Sequence, residues 1–553
     1  MTVQIAPNRR RMRRFATPTI YAVACLVTTI CVLPYLGVVV SAVTGSGQTL
    51  SHLIDTVLAR YTLTTLLLLA IVMTCSAAMG TGAAWLVTMT QFKGRRWFEI
   101  GLALPLAFPA YVLAYAYTHV LDHPGVVQSS LRGVTGWGAR DYWFPEIRSL
   151  GGAAAMLTLV LYPYVYLLAR AAFTAQGGTT FLAARVLGKP PFAAFLTVSL
   201  PMARPAIASG VMLVAMETIA DFGTVAYFGV QTFAVGIYTS WFAMADRAAA
   251  AQLALGLLAF ALLLAFLERA SRGQAAYTDG RKRQQMQRIR LTGTQQALAI
   301  FFCTVPVLLG VVVPVVTLSA MAMGSGQDLL SPRYLGFIRN SVTLAGIAAV
   351  ITVLAAVILG TLHRVGPTRW TATSLYMGRI GYAVPGGVIA VGLLVPFALF
   401  DNTLDAWMRA TFDVSTGLLF TGSIWLLIMA YMIRFLAAAI GAYDGGIASV
   451  GPNMDAAART LGQDMPGMVR RVHMPMLRTS LLTAGLIVFV DVMKELPATL
   501  IMRPFNYDTL AVQAHRLASD ERLNGAAVPS LVIAAIGLIP VIVLCRRIGR
   551  EGR

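Results

Sequence analysis

The chain has 553 residues, of which 57% are apolar and 12% charged, about half the charged content of an ordinary soluble domain, and this excludes a soluble enzyme. A formal charge of +20 would point to nucleic acid in a soluble chain. Here mostly apolar segments long enough for a bilayer core of about 30 Å recur along the whole length, so basic residues serve to fix orientation and no nucleic-acid partner is expected.

The N-terminal arm, residues 1–18, carries Arg9, Arg10, Arg11, Arg13 and Arg14 ahead of an apolar run from Thr19 to Val43. That run is longer than the core of a cleaved signal, so it is expected to stay as the first helix. Further spans are predicted at Tyr61–Gln91, Phe98–Leu121, Gly151–Phe173, Arg204–Phe228 and Ala248–Leu267. After a polar, basic linker at 271–293, the series resumes at Thr294–Met323, Asn340–His363, Thr373–Phe400, Gly417–Gly441, Thr479–Met502 and Ala526–Cys545. The expected fold is all-α and polytopic, about twelve transmembrane helices in two six-helix halves, 19–270 and 294–546, with a tail at 547–553. Most Lys and Arg fall in the arm, linker, tail and alternate loops, which by the positive-inside rule places both termini in the cytoplasm. The five cysteines, Cys25, Cys31, Cys75, Cys303 and Cys545, all lie in apolar segments without metal-ligand spacing and read as small buried hydrophobes.

Each half has one long inner loop after its fourth span, at about 176–204 and 442–478. The first contains Ala183, Ala184, Arg185 and Gly188, then Pro201; the second contains Asp455, Ala457, Ala458, Arg459 and Gly462, then Pro475. Both copies separate glycine from proline by thirteen positions, and the copies are offset by 274 residues. This internal repeat predicts a short helix, a glycine turn and a second short helix with an apolar face, formed by Phe192, Phe195, Val198 and Leu200 in one copy and by Met465, Met468, Val469 and Val472 in the other. Such an elbow suits either docking in a partner's groove or lying on the lipid surface. Pro201 and Pro475 are placed at the start of the next span.

Of the 23 acidic residues, this topology leaves Glu217, Asp221, Asp491 and Glu495 inside spans, as two i,i+4 pairs at equivalent places. Charges at membrane depth cost at least about 2.5–3.5 kcal/mol each, so they face protein or water. A carboxylate stripe suits a hard cation, which takes oxygen ligands; the alternative is that Lys494, Arg503 or backbone amides satisfy the four and they hold helices together. No metal site is assigned. Tyr162, Tyr164 and Tyr166 read as packing residues, and His119/His123 as an i,i+4 pair at a span's end. Asp221-Phe222-Gly223 copies a kinase tripeptide without its companion motifs. No phosphate loop follows Gly188-Lys189-Pro190, so ATP hydrolysis is not expected on this chain and no catalytic residue is assigned.

The repeated Ala-Ala-Arg-x-Leu-Gly followed by Leu-Pro or Met-Pro resembles the EAA loop of permease subunits in ATP-binding-cassette importers. The segments Met216–Val230 and Asp491–Leu500, with Arg503-Pro504-Phe505 and Ala518–Arg522, are similar to fused ferric-iron importer permeases. That resemblance implies a type I importer permease fold, coupling helices in both loops, two cytoplasmic ATPase subunits using ATP and Mg, a periplasmic substrate-binding protein, and iron transport across a bacterial inner membrane. The glutamate of the loop pattern is replaced by Leu182 in the first copy and by Ala456, after Asp455, in the second, which implies unequal sockets for the ATPase. A fused permease for thiamine, a polyamine or an aminophosphonate shares these motifs, and a proton-coupled secondary transporter would use the same intramembrane carboxylates.

Overall fold

The computed structural model describes residues 18–45, 47–138, 140–176, 179–272, 288–328 and 331–551. The basic arm at Arg9–Arg14 and the linker segment Gly273–Arg283 lie outside the described residues. Among the described residues, eleven helices are long and apolar enough to cross a membrane. A twelfth span is a bent pair, Arg95–Ala107 and Ala110–Thr135, at 94° to each other. The fold is all-α, and its single sheet among the described residues is a two-residue parallel pairing of Thr90–Gln91 with Ile289–Arg290.

Five spans fall where hydropathy puts them, for example Thr19–Thr44, Leu150–Gln176 and Gly293–Met323, whereas Ile424–Ile447 begins seven residues later than expected. The third span of each half differs, being broken in both. Phe108-Pro109 and Val384-Pro385 interrupt the helix, with Pro109 at φ −64°, ψ 142° and Pro385 at φ −57°, ψ 142°. Proline has no N–H to give and pushes the residue before it out of the helical region. Apolarity reports membrane depth, and it is blind to this break.

The fifth spans differ in the opposite sense. Pro201 and Pro475 do not start helices; they sit inside continuous ones, Pro191–Ala220 and Met465–Lys494. Just before each proline the helix widens to a π turn, Phe195–Ser199 and Val469–His473. Each ring would otherwise strike the carbonyl four residues earlier, and both of those carbonyls, of Thr197 and Arg471, lie in the widened turn. Pro314 follows a third such turn, Leu308–Val312. Element boundaries repeat at the sequence offset of 274: Leu150 and Ile424, Pro191 and Met465, Leu200 and Met474, Ala220 and Lys494.

Compactness partitions the chain into two units that do not follow chain order. One comprises 1–46, 247–255 and 336–508; the other 47–246, 256–335 and 509–553. In the first unit, helix Pro18–Thr44 lies against Gly386–Phe412. Gly37 and Gly392 face each other there, and a Cβ on either would overlap the opposing backbone at Gly392 or Pro34. Small residues at such a crossing let backbones approach where no water is available to drive association. In the second unit, Ala59–Met89 packs on Leu150–Gln176 and on Leu200–Ala220. Tyr162, Tyr166 and Phe173 are fully buried there, as are Tyr431 and Tyr443 in the first unit, which agrees with the packing role of that tyrosine run.

Cys31 and Cys303 are buried, but Cys25 and Cys75 are exposed, which corrects the expectation for those two. A helix in an apolar span has a lipid-facing side, so apolar sequence alone does not put a side chain inside the protein.

Candidate functional site

The four carboxylates expected inside spans divide by position along the chain. Glu217 and Asp491 remain in helix, in Leu200–Ala220 and Met474–Lys494. Asp221 and Glu495 are where those helices end, with φ, ψ of −67°, 129° and −70°, 127°. The expected i,i+4 helical face is therefore cut at its second member. Instead each of these carboxylates turns to the N-terminus of a short following helix.

Asp221 Oδ1 accepts the backbone N–H of Thr224 at 3.1 Å and of Val225 at 3.2 Å, and Oδ2 accepts the Thr224 hydroxyl at 3.0 Å. Glu495 Oε1 accepts the Ala498 N–H at 3.0 Å, while Oε2 accepts the Thr499 N–H at 3.1 Å and its hydroxyl at 2.8 Å. Both satisfy amide donors that a helix start leaves orphaned, and both place negative charge at the positive end of the helix dipole. Thr499 also hydrogen-bonds Tyr431, tying the second cap to helix Ile424–Ile447. The sequence carried a trace of this geometry in Thr224, in Thr499, and in Pro497 at the first helical position.

Charge compensation differs between the units. Asp491 pairs with Lys494 at 2.8 Å, and Ala220 occupies the position 274 residues before Lys494. Glu495 Oε1 and Arg434 Nη1 both border the space that a Cβ on Gly386 would fill. Arg434 is buried, and this Nη1 has no hydrogen-bond partner. The residue 274 before Arg434 is Val160. Asp491 thus has a basic partner in Lys494 and Glu495 has Arg434 nearby, whereas the residues 274 positions before those two bases, Ala220 and Val160, are apolar.

Both elbows form around left-handed glycines, Gly188 at φ 83° and Gly462 at φ 76°, a backbone that a side chain would strain. Their tips are exposed: Val186, Leu187 and Phe192 at the first, Leu461 at the second. The expected apolar faces point largely inward instead. Val198 packs on Phe181, Ala184 and Ala194, and Met468 with Val472 packs on Ala458 and Val365, because the two short limbs of each elbow must bury their apolar sides against each other first. Arg185 is exposed and donates to the Lys189 carbonyl at 2.7 Å. Ala183 lies in helix Thr179–Val186, and Ala457 and Arg459 in Pro452–Thr460.

Asp455 is buried and accepts from Arg364 Nε at 2.7 Å and from His473 Nε2 at 2.9 Å. Arg364 also donates to the carbonyls of Ile447 and Val450. Burial acts to raise the Asp455 carboxyl, but the hydrogen bonds from His473 and Arg364 outweigh it and hold the pKa below its ordinary value. Asp455 therefore faces its own unit and not the elbow's outer surface.

At the far end of helix Leu150–Gln176 from the first elbow, sequence reasoning missed a polar cluster. Arg148 donates to both Glu521 oxygens at 2.8 and 3.0 Å and to Asp122 at 3.0 Å. It also lies 5.2 Å from the ring centre of Tyr227. This latch lines a cavity of about 500 Å³ with His119, Gln327 and Asn524. Tyr227 belongs to the short helix that Asp221 caps. It meets Tyr115 edge-on at 4.8 Å, and Tyr115 hydrogen-bonds His515 at 3.2 Å. Among the described residues no group of three or more His, Cys, Asp or Glu is placed to hold a metal ion.

No protein-family model matches the chain. It is similar to the Fe(3+)-transport system permease protein FbpB 2 of Haemophilus influenzae, 25% identical over 93% of this chain and 95% of that protein. A probable ABC transporter permease, y4fN of Sinorhizobium fredii, is 25% identical over 76% of this chain and 75% of its own length. The molybdenum transport system permease ModB of Azotobacter vinelandii is 30% identical over 38% of this chain and 88% of that protein.

Proposed function

The chain belongs to the permease family of ATP-binding-cassette importers, and on that premise we propose that it moves ferric iron inward across the bacterial inner membrane. The observation that carries the cargo is the match along nearly the whole chain to a Fe(3+)-transport permease. The chemistry supports it. Ala220 and Val160 stand where the other repeat has Lys494 and Arg434, so the acidic stretch a hard cation would follow belongs to the first half of the sequence.

In this reading the exposed tips at Leu187 and Leu461 enter two cytoplasmic ATPase subunits, which bind ATP and Mg. Both termini are cytoplasmic, and a periplasmic binding protein delivers iron on the opposite side. Closure of the ATPases moves the elbows, and the helices continuous with them, Pro191–Ala220 and Met465–Lys494, carry the motion to the breaks at Asp221 and Glu495. This chain supplies the path and the levers, with hydrolysis on the partner.

Reconstitution of the chain with its ATPase and candidate binding proteins, followed by measurement of which ligand stimulates hydrolysis and enters the vesicle, tests the proposal. Iron-specific stimulation is expected. Uptake of molybdenum instead would favour the ModB likeness. Uptake driven by a proton gradient without ATPase would overturn the mechanism.

A further inference from the structure

Three segments of the second unit gather arginines around one carboxylate. Helix Ala59–Met89 ends at Thr90, the strand Thr90–Gln91 pairs with Ile289–Arg290, and helix Arg95–Gly101 begins after left-handed Gly94. Arg95 is buried, donates Nη1 to the Val87 carbonyl at 2.9 Å and to Glu99, and leaves its Nε without a partner. Arg170, also buried, approaches the other Glu99 oxygen at 3.8 Å. Glu99 is thereby shared between two buried arginines.

Arg96 and Arg288 add two further cations at the exposed edge. Arg288 is held in place by donating Nε to the Thr88 carbonyl at 3.3 Å. Its pKa is lowered, first because the fold covers part of this exposed side chain and then by Arg95, with Arg96 and Arg170 adding to the effect against the opposing pull of Glu99. The two buried arginines thus use the one carboxylate, and Arg96 and Arg288 add positive charge outside it. The cluster sits where spans Ser51–Met89 and Leu150–Gln176 approach their ends, and Trp97 beside it is 83% exposed, a ring suited to headgroup depth.

We propose that the edge formed by Arg96 and Arg288 binds the phosphodiester of an anionic lipid headgroup. Guanidinium forks match phosphate oxygens in pairs. Basic sites at the ends of transmembrane helices select acidic lipids by charge. Ile289, next to Arg288, packs on the cluster of Phe181, Ala184, Ala194 and Val198 in the first elbow. A headgroup holding Arg288 thus braces that elbow through the end of the linker, where the second elbow has the Arg364–Asp455–His473 network. The assignment is independent of the cargo.

The full chain in nanodiscs, titrated with phosphatidylglycerol in a phosphatidylcholine background and read by native mass spectrometry, tests this. Arg96→Gln with Arg288→Gln is expected to weaken phosphatidylglycerol binding about 25-fold, about fivefold for each charge. Arg96→Lys with Arg288→Lys retains the point charges but not the paired forks, and is expected to bind between the parental protein and the glutamine variant. Arg478→Gln, on an exposed position elsewhere, leaves it unchanged. Parental binding in the doubly substituted glutamine variant would overturn the proposal. Displacement of the lipid by millimolar inorganic phosphate would assign the site to a soluble phosphate and equally overturn the lipid assignment.

Discussion

Replacing Asp455 by Ala should loosen the second elbow while leaving the first intact. The carboxylate is buried and receives two hydrogen bonds, from Arg364 Nε at 2.7 Å and His473 Nε2 at 2.9 Å. Removing one partner of a buried pair costs about 3–5 kcal/mol because the other charge is stranded. Arg364 keeps its bonds to the Ile447 and Val450 carbonyls, and its side chain is 20% exposed, so the lower end, about 3 kcal/mol, applies. At about 1.4 kcal/mol per factor of ten, local opening of residues 453–473 becomes about 100-fold more frequent. Hydrogen exchange followed by mass spectrometry on the protein in nanodiscs reads this directly. Peptides covering Thr179–Ser199 should keep parental rates, since that elbow is held by the apolar contacts of Phe181, Ala184, Ala194 and Val198. Less than a threefold change across 453–473, or equal acceleration of both elbows, would refute the assignment of Asp455 as an internal tie.

Gly392→Ala should lower thermal stability in detergent by about 1–3 kcal/mol, the cost of overpacking, because its new methyl would meet the Pro34 backbone; an unchanged melting temperature would contradict the crossing described. Asp221→Asn keeps an acceptor for the Thr224 and Val225 amides and should cost little stability. Transport that falls at least tenfold with parental melting would therefore identify the charge, and not the cap, as the functional feature. Arg148 holds the Glu521 carboxyl below its ordinary value of 4.5, chiefly by its hydrogen bond. The latch is then fully formed above about pH 4.5 and is lost as pH falls through the lower folded value. A spin label at Ser325, on the cavity wall, should stay immobile from neutral pH down to about pH 4.5 and gain mobility below it, whereas Glu521→Gln should be mobile throughout.

Apolar runs placed five of the twelve spans to within three residues at both ends, since the bilayer imposes length and composition on any helix that crosses it, whatever it packs against; the others extend past the apolar run, are displaced from it or break within it. The elbows were also legible, because Gly188 and Gly462 need a backbone conformation that few other residues tolerate, and the offset of 274 marks them twice. Side-chain direction was not. Asp221 and Glu495 share an i,i+4 spacing with Glu217 and Asp491, yet they cap new helices, because a span can end at any residue whose side chain replaces the lost backbone bonds. The same spacing also hid the difference between the pairs, which depends on where Lys494 and Arg434 reach.

The sequence by itself determined membrane class, the order of the spans and the paired elbows, since these follow from local periodicity, composition and backbone preference. Tertiary structure alone decided that helix Pro18–Thr44 is grouped with 336–508, that Arg148 meets Glu521 373 positions away, and that Asp455 turns inward. Such contacts depend on which surfaces fit at close range once the helices are formed, and complementarity between residues hundreds of positions apart leaves no periodic signal in the chain.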